Sequence, residues 1–330
     1  MADHTIIVED VQSQLPTLHV SLSRVGVTNV EKVIRIASNG SEQLYSANLE
    51  CFVDLGPTQK GAHMSRFEED INAAIGEVIL GESAFRAETL AQHVAEKVRD
   101  RQGARRAEVH VKARYPEHKP APTSGIQTQE IYTLHGIAVA SAAGTRRVIG
   151  VTAQGMTACP CAQTLVQASS RERLLADGFG ERDVERIFDA VPVATHNQRG
   201  LGTLHVGCPE GCDIDIDAHR LLAIVEDSMS SEIYELMKRS DEGAVVEKAH
   251  RRPRFVEDCV REMIRGVVDG LPELGDDSFV SARQENLETI HQHNVVADRN
   301  GLLGELRREL ESGEHSERHV SLRDWLDGGG

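Results

Sequence analysis

The chain has 330 residues and a formal charge of −16, from 52 acidic and 36 basic side chains, with only 4% aromatic residues. A surface of that sign repels nucleic acid and anionic membranes unless a local basic pocket intervenes, and so few aromatics argue against a base-stacking platform. Hydrophobic residues at 40% suffice for one large core or two ordinary domains.

The N-terminus, MADHTIIVED, has no basic region followed by a long apolar one, and no run approaches a membrane span. A cytoplasmic location is expected. There, six cysteines read as ligands, nucleophiles or small core residues rather than disulfides. Twenty-nine of the 36 basic residues are arginine. An acid-rich, lysine-poor composition suits solubility in high salt, where charge repulsion is screened, so a halophilic source is expected.

Residues 14 to 55 read as strands. TLHVSLSRVGV alternates, and EKVIRIAS and LYSANLECFVDL follow at hairpin spacing. From Arg66 the pattern turns helical, with FEEDINAAIGEVIL and AETLAQHVAEKVRD repeating apolar residues at three and four. AEVHVKARYP returns to strand. Pro116, Pro120 and Pro122, with Thr123, Ser124 and Gly125, predict a loop.

The second half repeats this order. QEIYTLHGIAVASAAG and RRVIGVTAQG predict a hairpin, and RERLLADGF with ERDVERIFDAV predict a helical insert between Cys161 and His196. LGTLHVGCPEGCDIDI is extended. RLLAIVEDSMSSEIYELMKR predicts one helix with Leu222, Val225, Met229, Ile233 and Leu236 on a stripe. RFVEDCVREMIRGVVDGL predicts another, with Phe255, Cys259, Met263 and Val267. SFVSARQENLETIHQHNVVAD closes as a strand. Strand runs followed by helix runs indicate α+β layers. The expected division is a unit at 1–125, a second at 126–298 with the insert at about 165–192, and a charged tail at 299–330 whose first part reads as helical and whose last residues are expected to be mobile.

The chemistry gathers around MTACPCAQT. Pro160 pushes Cys159 toward an extended backbone. A redox pair would prefer a two-residue spacing at a helix start. Cys159 and Cys161 with Cys208 and Cys212 could instead make a structural zinc site, although C-x-C and C-x3-C fit a zinc knuckle poorly. The third reading is a corner of a catalytic metal site. Glu232 sits three after Met229 and four before Leu236, beside the apolar stripe, where a buried carboxylate needs a metal, an arginine or donor groups. His291 and His293 are two apart and share a face if extended. His196 precedes Asn197, Gln198 and Arg199. One cysteine, a carboxylate and histidines form a set suited to Zn(II) or Fe(II), and a coordination position left for water makes such a centre catalytic.

With these residues the chain resembles the type IB superfamily of GTP cyclohydrolases, and within it the archaeal branch. The resemblance covers roughly residues 14 to 298, through KGAHMSRF (60 to 67), CPCAQ (159 to 163), THNQRG (195 to 200), SSEIYELMKRSDE (230 to 242) and ENLETIHQHN (285 to 294). The bacterial branch typically reads CPCSK and runs almost directly into HNQRS, whereas here a helical insert intervenes. The resemblance implies tandem tunnelling-fold units, antiparallel sheets with helices on one face, assembled into an oligomeric barrel with substrate sites at interfaces. It implies a homo-oligomer, a dimer or tetramer, acting on GTP.

The implied reaction is hydrolysis at C8 with formate release. The implied cofactor is Fe(II), with Zn(II) or Mn(II) as substitutes, and the implied product is 7,8-dihydroneopterin 2′,3′-cyclic phosphate. The alternative product is 7,8-dihydroneopterin triphosphate. An alternative of another class is a zinc-stabilised interaction protein. By the same resemblance Cys159 is the catalytic, metal-ligating cysteine. His196, Glu232, His291 and His293 take the remaining metal-site positions, one of the last two binding metal and the other shuttling protons. Glu247 takes the carboxylate that anchors the guanine edge. Lys60, Arg66 and Arg199 are the candidates for the triphosphate charge.

Overall fold

Tyr45, Ala47, Leu49, Cys51, Val53 and Leu55 alternate along the sequence, and all six are buried on one face of strand β2 (Ser41–Leu55). The structure is a computed structural model that describes residues 11–38, 41–81, 86–314 and 319–328. β2 pairs antiparallel with β1 (Leu22–Ser38) on one side and with the first half of β3 (Ala107–Pro120) on the other. Helices α1 (Met64–Gly81) and α2 (Ala87–Gln102) pack on each other and on these strands, burying Phe67 and Ile71 from one and Leu90, Val94 and Val98 from the other. Each such side chain contributes about 1.5–3 kcal/mol when fully buried.

Two compact units divide the chain. One holds residues to 113 with 135–148 and 209–212, and the other holds 114–134, 149–208 and 213–330. The first unit corrects one sequence expectation. The region of 14–55 holds two long strands rather than three short ones, and residues 17–20 lie before β1. VGV and EKV belong to one strand because Asn29 takes a left-handed backbone (φ 57) at a bulge, between the pairs Val27–Cys51 and Val30–Leu49. Asn48 Nδ2 donates to Asn29 Oδ1 at 2.8 Å and holds the bulge.

Glu108 is one of the buried acids of this unit, with Asp70 and Glu88. Arg106 Nη1 and His110 Nε2 lie 2.7 and 2.8 Å from its carboxylate, and Arg24 Nη2 lies 3.1 Å away. Burial alone would raise its pKa, but the hydrogen bonds from His110 and Arg106 outweigh burial and hold it at about 2. A carboxylate depressed in the folded state stabilises above its ordinary value, near 4.3, and that contribution is lost as pH falls toward 2. The shift corresponds to at most about 3 kcal/mol. Urea midpoints taken from pH 6 down to pH 2.5 are therefore expected to fall more steeply for the wild type than for Glu108→Gln. Parallel curves would contradict this.

In the second unit, β6 (Asn197–Cys208) pairs antiparallel with β8 (Phe279–Leu287), and β8 pairs with β9 (Val295–Leu302). The predicted hairpin is present as β4 (Gln127–Ser141) and β5 (Gly144–Ala158), neighbours in strand order, of which residues 135–148 belong to the first unit. The predicted insert is α3 (Pro160–Ala176) and α4 (Glu181–Ala190). Helices α5 (Ala218–Ser228) and α7 (Val256–Gly270) supply the core with Leu221, Val225, Cys259, Met263 and Val267. Gly155 and Gly202 make this packing possible. A Cβ on Gly155 would meet Met229 Sδ at 2.6 Å, and one on Gly202 would meet Val225 Cγ1 at 2.5 Å. α6 (Arg239–Arg251) carries the EKAH stretch. No helix among the described residues is long and apolar enough to cross a membrane.

Three expectations are corrected here. β3 continues through Pro116 to Pro120, because its pairing with β2 ends at Ala113 and beyond that point a missing N–H costs no bond to β2. The long helix predicted from Arg220 stops at Ser228. Ser228 Oγ donates back to Val225 O at 2.7 Å, Met229 turns extended, and Ser230 Oγ accepts from Ala158 N at 3.0 Å. Glu232 thus sits on a two-residue strand, β7 (Ser231–Glu232), paired with β5 at Gly155. The HQH stretch lies in the bend between β8 and β9, not in a strand. In the tail, the helical first part is present as α8 (Leu303–Ser312), and α9 (Leu322–Leu326) follows, whose Trp325 is 1% exposed; residues 329–330 lie outside the described residues.

Candidate active site

Cys159 stands where β5 ends and α3 begins. Pro160 occupies the first helical position, where its missing N–H costs nothing, and leaves Cys159 extended as the N-cap (φ −75, ψ 117). The Cys159 sulfur accepts from Ala162 N at 3.5 Å. It therefore faces the N–H groups of the first helical turn.

His196 is 37 positions further on, and backbone bonds bring it to the same place. Cys159 N donates to His196 O at 3.1 Å, and Thr195 Oγ1 donates to Cys159 O at 2.8 Å. Gln163 Nε2 ties the start of the insert to Val193 O at 2.8 Å and His250 O at 2.6 Å. Arg254 N donates to Ala158 O at 3.0 Å. The β8–β9 bend is fastened to the same region by Thr289 Oγ1, which donates to Asn197 O at 3.1 Å.

The result is a cavity of about 260 Å³ lined by Cys159, His196, His291 and His293, together with Glu288 and Arg254. His291 and His293 are exposed, and their rings stack with centroids 5.1 Å apart and planes within 9°. Glu288 is the buried carboxylate. Its side chain is 7% exposed, and its Oε2 has no hydrogen-bond partner and lies 3.9 Å from His196 Nδ1. A buried carboxylate oxygen without a donor is costly, and a cation in the cavity would relieve that cost. Thiolate, imidazole and carboxylate together form a donor set that suits Zn(II) or Fe(II). The residues therefore fit a divalent metal, although among the described residues no three His, Cys, Asp or Glu side chains are drawn close enough to hold one as they stand.

The other expected site residues lie elsewhere. Glu232 is outside the lining of this cavity, and Lys248 Nζ donates to both of its oxygens at 2.7 Å. Glu247 is exposed on α6 and pairs with Arg251 Nε at 2.9 Å. Arg199 projects from β6 as an exposed residue between buried Gln198 and Gly200. Lys60 and Arg66 belong to the first unit, the latter half-buried in the first turn of α1. Among the described residues, none of Lys60, Arg66 and Arg199 has a salt bridge.

Cys161 is exposed, Cys208 is buried at the end of β6, and all six thiols are free. Glu288 and Arg254 went unread in the sequence. Glu288 was legible only as the acid three before His291. Arg254 was masked by a run of neighbouring basic residues. Its Nη1 donates to Ser228 O at 2.6 Å, and burial followed by the nearby Arg252 lowers its pKa.

Comparisons with known proteins bear on the family and the fold. A family model described as type I GTP cyclohydrolase folE2 matches residues 8–297. The GTP cyclohydrolase MptA of Methanococcus maripaludis is 40% identical over 314 residues, 92% of this chain and 98% of that protein. The protein of the same name from Methanocaldococcus jannaschii is 40% identical over 311 residues, with the same shares. Among solved structures, the uricase of Arthrobacter globiformis is similar, with a TM-score of 0.52 at 8% identity, covering 90% of this chain and 96% of that one. That likeness concerns the fold alone and bears out the tunnelling fold expected from the resemblance.

Proposed function

The chain belongs to the type I GTP cyclohydrolase folE2 family, and on that premise we propose that it opens the imidazole ring of GTP, releases C8 as formate, and yields the pterin 7,8-dihydroneopterin 2′,3′-cyclic phosphate. The observation that carries this reading is the meeting of Cys159, His196, His291 and His293 around one cavity with an unsatisfied buried carboxylate oxygen. Cys159 and His196 would hold a divalent metal, Fe(II) first, with Glu232 as the third donor. Glu232 starts from a strand paired to β5 at Gly155, close in sequence to Cys159, and the metal would compete with Lys248 for its carboxylate. Such an ion supplies Lewis acidity that makes water reactive at C8 near neutral pH.

The chain's own residues supply the rest. Of His291 and His293, side by side at the cavity, one would join the metal donors and the other would move protons to and from the purine nitrogens as the ring opens, which histidine does best near neutral pH. Glu247, released from Arg251, accepts from the N1 and 2-amino groups of guanine, an edge that adenine does not present. Lys60, Arg66 and Arg199, without a salt bridge among the described residues, are positive groups of the kind that suits the triphosphate. A homo-oligomer, a dimer or tetramer, would complete the substrate sites. The cyclic product is assigned because the curated relatives described above carry the MptA name.

Mass balance provides the test. Forming a cyclic monophosphate from GTP leaves one diphosphate, whereas forming the triphosphate leaves none. Anaerobic incubation with GTP and Fe(II) should give formate, diphosphate and a pterin of cyclic-phosphate mass. A pterin that keeps all three phosphoryl groups, with no diphosphate, would overturn the product assignment. No pterin at all would overturn the function.

A further inference from the structure

Gln198 follows His196 by two residues in extended chain, so both side chains fall on the same side. It is 6% exposed and Thr157, beside it, is fully buried. Gln198 Nε2 donates to Thr157 Oγ1 at 3.0 Å, and its Oε1 faces His196 Nδ1 at 3.1 Å. We propose that Gln198, anchored by Thr157, is a positioning residue that holds His196 as the tautomer with its proton on Nδ1 and its lone pair on Nε2. This rests on the reading of His196 as a metal ligand.

Two acceptors carry the argument. An amide oxygen can only accept, so a hydrogen bond to it requires a proton on Nδ1. Reversing the amide would put an N–H against an Nδ1 lone pair instead, and the heavy-atom distances alone do not decide between the two arrangements. Glu288 decides. Its buried, unpartnered Oε2 lies 3.9 Å from the same Nδ1. A carboxylate oxygen facing a lone pair is repulsive, whereas facing N–H it is attractive. With Nδ1 protonated, Nε2 is the ring's coordinating atom before any metal arrives. The same pair of bonds fixes the ring's orientation, so the ligand is presented in one rotamer and one tautomer.

The experiment uses the full-length, metal-free protein labelled with 15N-histidine, at a pH where imidazole is neutral. The His196 resonances are assigned by their loss in His196→Ala. Long-range proton–nitrogen correlations should show Nδ1 protonated and Nε2 bare. Gln198→Leu should lose that pure tautomer and bind Zn(II), in competition with a chromophoric chelator, about 10–100-fold more weakly. Gln198→Glu keeps an acceptor opposite Nδ1 and should restore both readouts. If Gln198→Leu does not fold, Thr157→Val frees the amide without touching the ring's neighbour and should give a weaker version of the same loss. A proton on Nε2 in the wild type would overturn the proposal, and so would a Gln198→Leu protein with unchanged tautomer and affinity. A wild type with the expected tautomer that binds no divalent ion would instead overturn the metal reading of the cavity.

Discussion

Replacing Cys159 with alanine is expected to lower formate release from GTP by at least about 100-fold, the upper end of what loss of even an outer-shell metal contact costs. Cys159 has two separable jobs. It caps α3, through Ala162 N, and it presents sulfur to the cavity. Losing a cap costs about 1 kcal/mol of stability and leaves a folded protein. Serine separates the two jobs, because it caps as well as any residue but offers no soft sulfur ligand. Cys159→Ser should therefore hold wild-type stability with turnover as low as that of Cys159→Ala and with reduced metal content. Cys161→Ala, at an exposed position, should retain activity. Turnover by Cys159→Ser at the wild-type rate would remove the thiol from the chemistry and leave it as a cap.

The largest expected effect on stability lies in the charged tail. Trp325→Ala should destabilise the protein by about 3–5 kcal/mol, the range for emptying a buried tryptophan site. The indole stacks on Phe279 with centroids 5.6 Å apart, and its Nε1 donates to Asp277 O at 3.1 Å. It also fills the space left by the missing side chain of Gly207, where a Cβ would come within 2.7 Å of the ring. Trp325→Phe keeps the stacking and most of the area but loses the hydrogen bond, so it should cost far less. Urea midpoints of the two variants measure the difference. A Trp325→Ala midpoint equal to the wild type would mean that α9 contributes nothing to the second unit.

Motifs with chemistry were more legible in this sequence than the path of the chain between them. CPC, THNQRG and ETIHQHN each point to a metal site, and the structure gathers a cysteine and three histidines from them around one cavity. Periodicity misled where it continued through a break. Ile233 and Leu236 prolong the spacing of α5, and only the serines at 228, 230 and 231 signal that the backbone has other partners there. Composition misled in the tail, where charge hid the chain's single tryptophan, a side chain too large to leave in water without reason. Glu288 and Gln198 could not be weighted from the sequence because their importance lies in what faces them. One is an acid without a donor, and the other an amide spanning a threonine and a histidine.

The central claim is that this chain removes C8 from the guanine of GTP. GTP labelled with 13C at C8 tests it most directly, with the Fe(II)-loaded protein kept under anaerobic conditions. The account predicts that all of the label leaves as formate, one for each GTP consumed, while the pterin formed carries none. Label retained in the purine-derived product, or GTP consumed without labelled formate, would contradict it.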